Sequence, residues 1–150
     1  MPKRIPNGSR IQMEMRGAEV IQFEDIAAQI GAVVYVCVAA FQVAVAAGAP
    51  FGEFTQGGNS TGQLPRSGRI VAVVSALALL LMAGTLLAVV GIGPLAALDS
   101  PWIDGLWFAT GAYAILGVIL NAATRSPKER RVFLPIALIL FVCVALVALR

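Results

Sequence analysis

The feature that most constrains this chain is a series of four long apolar stretches, with charged side chains only near their ends. They are expected at about 26–48, 69–93, 101–123 and 127–149. A helix needs about 20 apolar residues to cross the hydrocarbon core of a bilayer. Each stretch meets that length, so the sequence predicts four transmembrane helices.

The composition points to the same solvent. Hydrophobic residues make up 59% of the 150 residues and charged residues only 13%, whereas a soluble domain carries about 25% charged residues. Membrane barrel strands alternate in polarity, and these stretches do not. We therefore expect an all-α membrane protein: one four-helix bundle over residues 26–150, a polar N-terminal tail over residues 1–25, and a long glycine-rich first loop at 49–68.

Two of the helix starts carry clear signals. Asp99-Ser100-Pro101 places a capping side chain before a proline at the start of the third helix. Ser126-Pro127-Lys128-Glu129 predicts a capping box for the fourth helix. Pro135 is expected to kink that helix. Pro2 and Pro6 favour an irregular start to the tail.

An even number of spans places both termini on one side of the membrane and the loops 49–68 and 124–130 on the other. Basic residues concentrate in short cytoplasmic loops. Those at the first and last loops are Arg66, Arg69, Arg125, Lys128, Arg130 and Arg131. We therefore expect these loops in the cytoplasm and both termini outside.

Four aromatic residues are candidate interfacial anchors: Phe51, Phe54, Trp102 and Trp107. Amphipathic aromatic rings are enriched at membrane interfaces. A ligand-stacking role for the two tryptophans is the alternative.

The sequence is poor in the groups that catalysis requires. It has no histidine, the commonest general base and metal ligand. No Asp, Glu, Lys or Arg lies clear of the span ends, whereas ion-coupled transport needs such a group. We expect no catalytic residue, metal or cofactor, and no enzyme activity. A lipid-directed enzyme using Glu53 with Tyr35 or Asn121 is the weakest alternative. The basic residues lie at span ends, so nucleic acid is not an expected partner.

A binding site is expected beneath the first loop. Converging guanidinium groups suit phosphate, and an anionic lipid headgroup is the ligand available at that depth. The candidate ligand-binding residues are Gln42, Glu53, Arg66, Asn121, Arg125, Arg130 and Arg131. The plainer alternatives are a flexible connector and simple electrostatic anchoring.

Polar and small side chains inside the spans predict how the helices pack. Tyr35 and Gln42 share one face of the first helix, and Thr110 and Asn121 share one face of the third. We expect these groups to hydrogen-bond across helices. The recurrence of Ala40, Ala44 and Gly48, and of Gly84 and Ala88, predicts close helix contacts.

Several short motifs accompany the spans: Gly48-Ala49-Pro50-Phe51-Gly52, Gly57-Gly58, Gly62-Gln63-Leu64-Pro65, Asn121, Arg125-Ser126-Pro127 and Glu129-Arg130-Arg131. In this combination the chain resembles a group of small uncharacterised bacterial proteins, known only as four-span integral membrane proteins or domains of unknown function. The resemblance covers roughly residues 30–149. It implies a bacterial inner-membrane location and four spans, and it carries no activity.

Two functions follow as hypotheses. The first is a non-enzymatic protein that acts by packing, either as an accessory or structural subunit of a membrane complex or as a self-associating bundle. The alternative is a lipid- or amphiphile-binding or transport protein with its site under the 49–68 loop. In either case the expected partners are membrane lipids, with anionic headgroups at the basic loops, and a membrane protein or a second copy of the chain.

Overall fold

The computed structural model describes residues 7–98 and 101–149, with side chains from Gln22 onward. Within these ranges all regular elements are helical. The four α-helices are α1 (Asn7–Ala47), α2 (Arg66–Val89), α3 (Pro101–Ala123) and α4 (Pro127–Ala148). Short 3-10 turns lie at Gly52–Phe54, Gln56–Gly58 and Pro94–Ala97.

All four helices contain a segment long and apolar enough to cross a membrane. These segments are Gln22–Ala47, Arg66–Val89, Pro101–Ala123 and Pro127–Ala148. The predicted fold class is therefore confirmed, and the chain is a small integral membrane protein with four candidate spans. α4 continues as a helix through Pro135.

The first helix begins earlier than the sequence pattern indicated. α1 starts at Asn7 and runs for 41 residues without a break, so residues 7–25 of the expected polar tail belong to the same helix as the first span. No proline follows Pro6 within this helix, and nothing else in the polar segment removes a backbone donor. Pro2, Pro6 and the predicted Asp99-Ser100 cap lie outside the described residues.

Glycine ends both of the first two spans. Gly48 and Gly91 adopt positive φ angles of 102° and 80°. The amide of Ile92 bonds to the carbonyl of Leu87 at 2.9 Å, and the amide of Gly91 bonds to that of Ala88. These two bonds form a Schellman motif, which ends a helix at a left-handed residue. The second span therefore stops at Val89 instead of the expected Gly93.

The helices form a ring in which α1 packs on α2, α2 on α3, α3 on α4 and α4 on α1. Small side chains line the closest contacts. The buried alanines of the core are Ala27, Ala28, Ala32, Ala39, Ala83 and Ala114. Gly31 of α1 is packed so tightly that an added Cβ would lie 2.6 Å from Cδ2 of Leu86 on α2. Ala40 of the predicted small-residue repeat is exposed instead.

Candidate ligand-binding site

Ser126, between α3 and α4, joins the first loop to the last. Its hydroxyl oxygen accepts a hydrogen bond from the Glu129 amide at 3.2 Å, which caps α4 as predicted. The same hydroxyl donates to the carbonyl oxygen of Glu53 at 2.6 Å. The first and last loops therefore lie on the same side of the bundle, as the even number of spans requires.

Glu129, in the first turn of α4, is a second contact between the first and last loops. Its Oε2 accepts hydrogen bonds from the Gly57 amide at 3.0 Å and from the Thr124 hydroxyl. In a capping box this carboxylate would accept from the amide of Ser126. That amide instead donates to the Thr124 hydroxyl at 3.4 Å. Because Glu129 bonds the distant loop, the predicted capping box is only half formed.

Lys128 adds an exposed ion pair between the first and last loops. Its ammonium group pairs with the carboxylate of Glu53 and lies 5.9 Å from the centre of the Phe54 ring. The lysine and glutamate side chains are 58% and 38% exposed. Exposed ion pairs contribute little to stability, so the contacts of buried Ser126 and half-buried Glu129 are the stronger attachments.

The first loop is ordered within itself as well. The Gly52 amide donates to the carbonyl of Gly62 at 2.8 Å, and the Gln56 side chain donates to the carbonyl of Gly68 at 2.8 Å. The loop also contains two 3-10 turns, Gly52–Phe54 and Gln56–Gly58. It therefore forms a fixed cap over one end of the bundle.

Aromatic rings support this cap from below. The ring of Phe41 on α1 lies 5.8 Å from that of Phe51 and 5.1 Å from that of Phe133 on α4. Phe54 packs edge-on against Phe51 at 6.5 Å. Offset and edge-to-face pairs at these distances are favourable. Phe51 thus contacts a ring of the bundle, and Phe54 packs on Phe51 within the loop.

A cavity of about 500 Å³ lies beneath the cap. Its walls come from α1, α3, α4 and both loops. They include Gln42, Gln56, Asn121, Thr124, Arg125 and Glu129, together with the rings of Phe54, Tyr113 and Phe133. Charged and amide groups are therefore concentrated on one side of the bundle, where the two loops meet.

A second, smaller cavity of about 60 Å³ continues from the first towards the centre of the bundle. Val38, Tyr113, Asn121 and Phe133 line both spaces. The deeper walls are apolar: Leu79, Ala114, Gly117, Ile136, Ala137 and Leu140. Together the cavities follow α3 from Tyr113 to Arg125, a length of about 18 Å at 1.5 Å per residue.

Two buried polar atoms on α1 have no hydrogen-bond partner in the described part of the chain. They are the hydroxyl oxygen of Tyr35 and Oε1 of Gln42. Leaving such an atom unsatisfied costs about 1–3 kcal/mol. Gln42 also lines the cavity, although its Oε1 is itself shielded from that space.

In the part of the chain that the structure describes, Thr110 and Asn121 bond within their own helix instead of across helices, so that prediction was wrong for both. The hydroxyl of Thr85 donates to the carbonyl of Leu81, that of Thr110 to Leu106, and the Asn121 amide to Gly117. Each acceptor lies four residues earlier on the same helix. A short side chain reaches that carbonyl without crossing to a neighbour.

The structure brings three of the predicted binding residues to one cavity: Gln42, Asn121 and Arg125. The others lie elsewhere. Glu53 pairs with Lys128, and Arg130 donates to the carbonyl of Thr124 at 2.9 Å. Arg131 is exposed at the start of the second turn of α4.

Arg66 and Arg69 border a separate groove of about 410 Å³ between α1 and α2. Arg69 also donates to the carbonyl of Ala46 at 2.7 Å and so holds the end of α1. The predicted basic cluster is therefore divided between two faces of the bundle.

The two tryptophans differ in their surroundings. Trp102 is 81% exposed near the start of α3, a placement that suits an interfacial ring. Trp107 packs against the helical core.

Sequence reasoning missed Thr124, Glu129 and Tyr113 as cavity residues. One indication of Glu129 and Thr124 was present in the sequence, because both lie close to Ser126, the predicted N-cap of α4. Tyr113 gave none, because its position depends on how α3 packs against α1 and α4.

Comparison with known proteins gives no family assignment. No protein-family model, curated protein or solved structure matches the chain.

Proposed function

We propose that this chain is a non-enzymatic membrane protein that binds an amphiphile in the two-part cavity beneath its first loop. The observation that carries the proposal is the polarity of the cavity, which is polar at the loop end and apolar towards the bundle centre. An amphiphile has the same polarity along its length. Its headgroup would contact Gln42, Asn121 and Arg125, the first methylene groups of its chain would occupy the small space beside Ala114 and Gly117, and the rest of the chain would lie in the bilayer.

The cavity wall formed by α3 favours entry from the bilayer. Leu120 lines the cavity and is 64% exposed, and Tyr113 is 37% exposed. Both residues lie within the candidate span of α3. These exposed lining residues support entry of a ligand from the hydrocarbon, where membrane lipids are the available molecules.

Filling the deep cavity tests this function. Gly117 lines it, and a Cβ there would meet only the Cβ of Ala137 at 3.9 Å. A leucine at this position would occupy the chain site. We expect the Gly117→Leu protein, purified in a mild detergent, to lose the lipid that co-purifies with the original chain, as measured by mass spectrometry.

Gly111→Leu is the matched control, because it makes the same change on the same helix. A Cβ at Gly111 meets nothing within 4 Å. The control should retain the co-purifying lipid. Identical lipid content in the original chain and both variants would contradict the proposal.

The exposure of α3 favours a second candidate function, that of an accessory or self-associating subunit. Only Thr110 and Ala114 of this helix are buried, so most of its surface is available to another protein or to lipid. A cysteine at Gly111, in a chain with Cys37 and Cys143 replaced by alanine, tests self-association. Disulfide-linked dimers in membranes would support it, and a strictly monomeric protein without a co-purifying partner would contradict this candidate.

For location, we propose a bacterial inner membrane with the first and last loops in the cytoplasm. The basic residues at these loops support the orientation. In the same cysteine-free background, Ser67→Cys should react with a membrane-impermeant maleimide only after cell lysis. Ala97→Cys should react in intact spheroplasts. The reverse pattern would overturn the orientation.

A further inference from the structure

We propose that the groove between α1 and α2 is a second and separate lipid site, which binds the headgroup of an anionic phospholipid on the outer face of the bundle. The guanidinium groups of Arg66 and Arg69 border this groove of about 410 Å³. The inference does not depend on the cavity under the first loop, because no residue lines both spaces.

Arg69 is the half-buried arginine of the pair, and a hydrogen bond fixes its orientation. Its Nε donates to the carbonyl of Ala46, in the last turn of α1, at 2.7 Å. The two terminal nitrogens of the guanidinium group have no hydrogen-bond partner within the described residues. Terminal guanidinium nitrogens lie in one plane and match two oxygens of a phosphate. Arg69 is therefore held ready to bind a phosphate group.

Arg66, one turn earlier on α2, adds a second positive charge. Neither arginine forms an ion pair in the part of the chain that the structure describes, and no described acidic side chain lines the groove. The cavity under the loop differs in this respect, because Arg125 and Glu129 both line it. The groove thus carries two positive charges and no negative one, which selects an anion.

Below the arginines the same face of α2 is apolar. Ile70, Val73 and Leu77 follow at helical spacing, and all three are exposed; we call them the apolar stripe. α2 is a candidate span that begins at Arg66. The arginines therefore lie at the end of the span, where headgroups are, and the apolar stripe lies where acyl chains are. A phospholipid has this order of charge and chain, whereas a soluble phosphate would leave the stripe uncovered.

Quenching of a tryptophan by brominated lipids measures which lipid lies on this face. Leu77→Trp, in a chain with Trp102 and Trp107 replaced by phenylalanine, places the reporter on the apolar stripe, about 12 Å along the helix from Arg69. The protein is reconstituted in phosphatidylcholine mixed with brominated phosphatidylglycerol or with brominated phosphatidylcholine. We expect phosphatidylglycerol to be preferred beside the reporter, with each arginine contributing about fivefold.

Variants distinguish a defined site from general attraction between charges. Arg66→Gln and Arg69→Gln should each lower the preference about fivefold. Arg131→Gln is the matched control, because Arg131 is an exposed arginine at the same end of the bundle and lies outside the groove. An equal loss in the control would overturn the proposal. An unchanged preference in Arg66→Gln would also overturn it, and this variant removes no hydrogen bond or ion pair of the described residues.

Two further arms identify the source of the phosphate and the site that the reporter senses. Phosphate and chloride buffers of equal ionic strength should give the same preference, and a loss in phosphate alone would show that the groove takes a soluble anion. Gly117→Leu should leave the preference unchanged, because Gly117 lines only the deep cavity. Loss of the preference in that variant would overturn the inference and leave amphiphile binding in the cavity intact.

Discussion

The hydroxyl oxygen of Ser126 lies 2.6 Å from the carbonyl oxygen of Glu53, a residue 73 positions earlier in the chain. One side chain therefore both caps α4 and fixes the first loop above the cavity. The shape of the cavity depends on this contact, because Gln56 and Gly57 of the same loop form part of its wall.

Ser126→Ala should destabilise the protein by about 2 kcal/mol. It removes a helix cap, worth about 1 kcal/mol, and leaves the Glu53 carbonyl without its donor. The measurement is unfolding of the detergent-solubilised protein by titration with a denaturing detergent. Ser67→Ala is the control, because Ser67 is exposed in the first turn of α2. Equal stability of the two variants would show that Ser126 does not anchor the loop.

Gly58→Ala should loosen the cap more than Gly62→Ala does. Both glycines have positive φ, at 68° and 82°, so each substitution carries about 1–2 kcal/mol of backbone strain. At Gly58 an added Cβ would also lie 2.6 Å from the Cβ of Ser126, whereas at Gly62 it meets nothing within 4 Å. Limited proteolysis of the first loop should therefore be faster in the Gly58 variant. Equal cleavage rates would argue against a closely packed cap.

The Lys128–Glu53 ion pair should contribute less than about 1 kcal/mol to stability. Both side chains are substantially exposed, and water and salt screen such pairs. A double-mutant cycle with Lys128→Met and Glu53→Gln measures the coupling energy. Raising the salt concentration should reduce it. A coupling of several kcal/mol that is insensitive to salt would show that the pair is not solvated.

Gly31→Ala should weaken packing between α1 and its neighbours. The new methyl group would lie 2.6 Å from Cδ2 of Leu86 and 3.1 Å from the Cβ of Cys143. Overpacking of this kind costs about 1–3 kcal/mol. A second change, Leu86→Val, should restore part of the loss because it removes the nearest methyl group.

Gly105→Ala is the matched control for Gly31→Ala. Gly105 lies within α3, and an added Cβ there meets nothing within 4 Å. Because alanine is the better helix former, this substitution should stabilise the protein by up to about 1 kcal/mol. Destabilisation of both variants by the same amount would point away from steric overlap at Gly31.

The sequence by itself determined the helical class and the approximate spans. The apolar stretches have the length of a membrane helix, and a bilayer leaves few alternatives for their backbone hydrogen bonds. The third span agrees with its prediction at both ends, Pro101 and Ala123. Local chemistry also identified the Ser126 cap, because capping depends on residues within one turn.

Only the tertiary structure decided which distant residues meet. Glu129 appeared in the sequence as part of a local cap, yet its carboxylate binds the amide of Gly57, 72 residues away. The basic residues appeared as one cluster, but Arg66 and Arg125 line different cavities. Hydrophobic pattern fixes which segments enter the membrane. The pairing of loops and the shape of the cavity arise from side-chain packing between helices, and no periodicity along the chain encodes that packing.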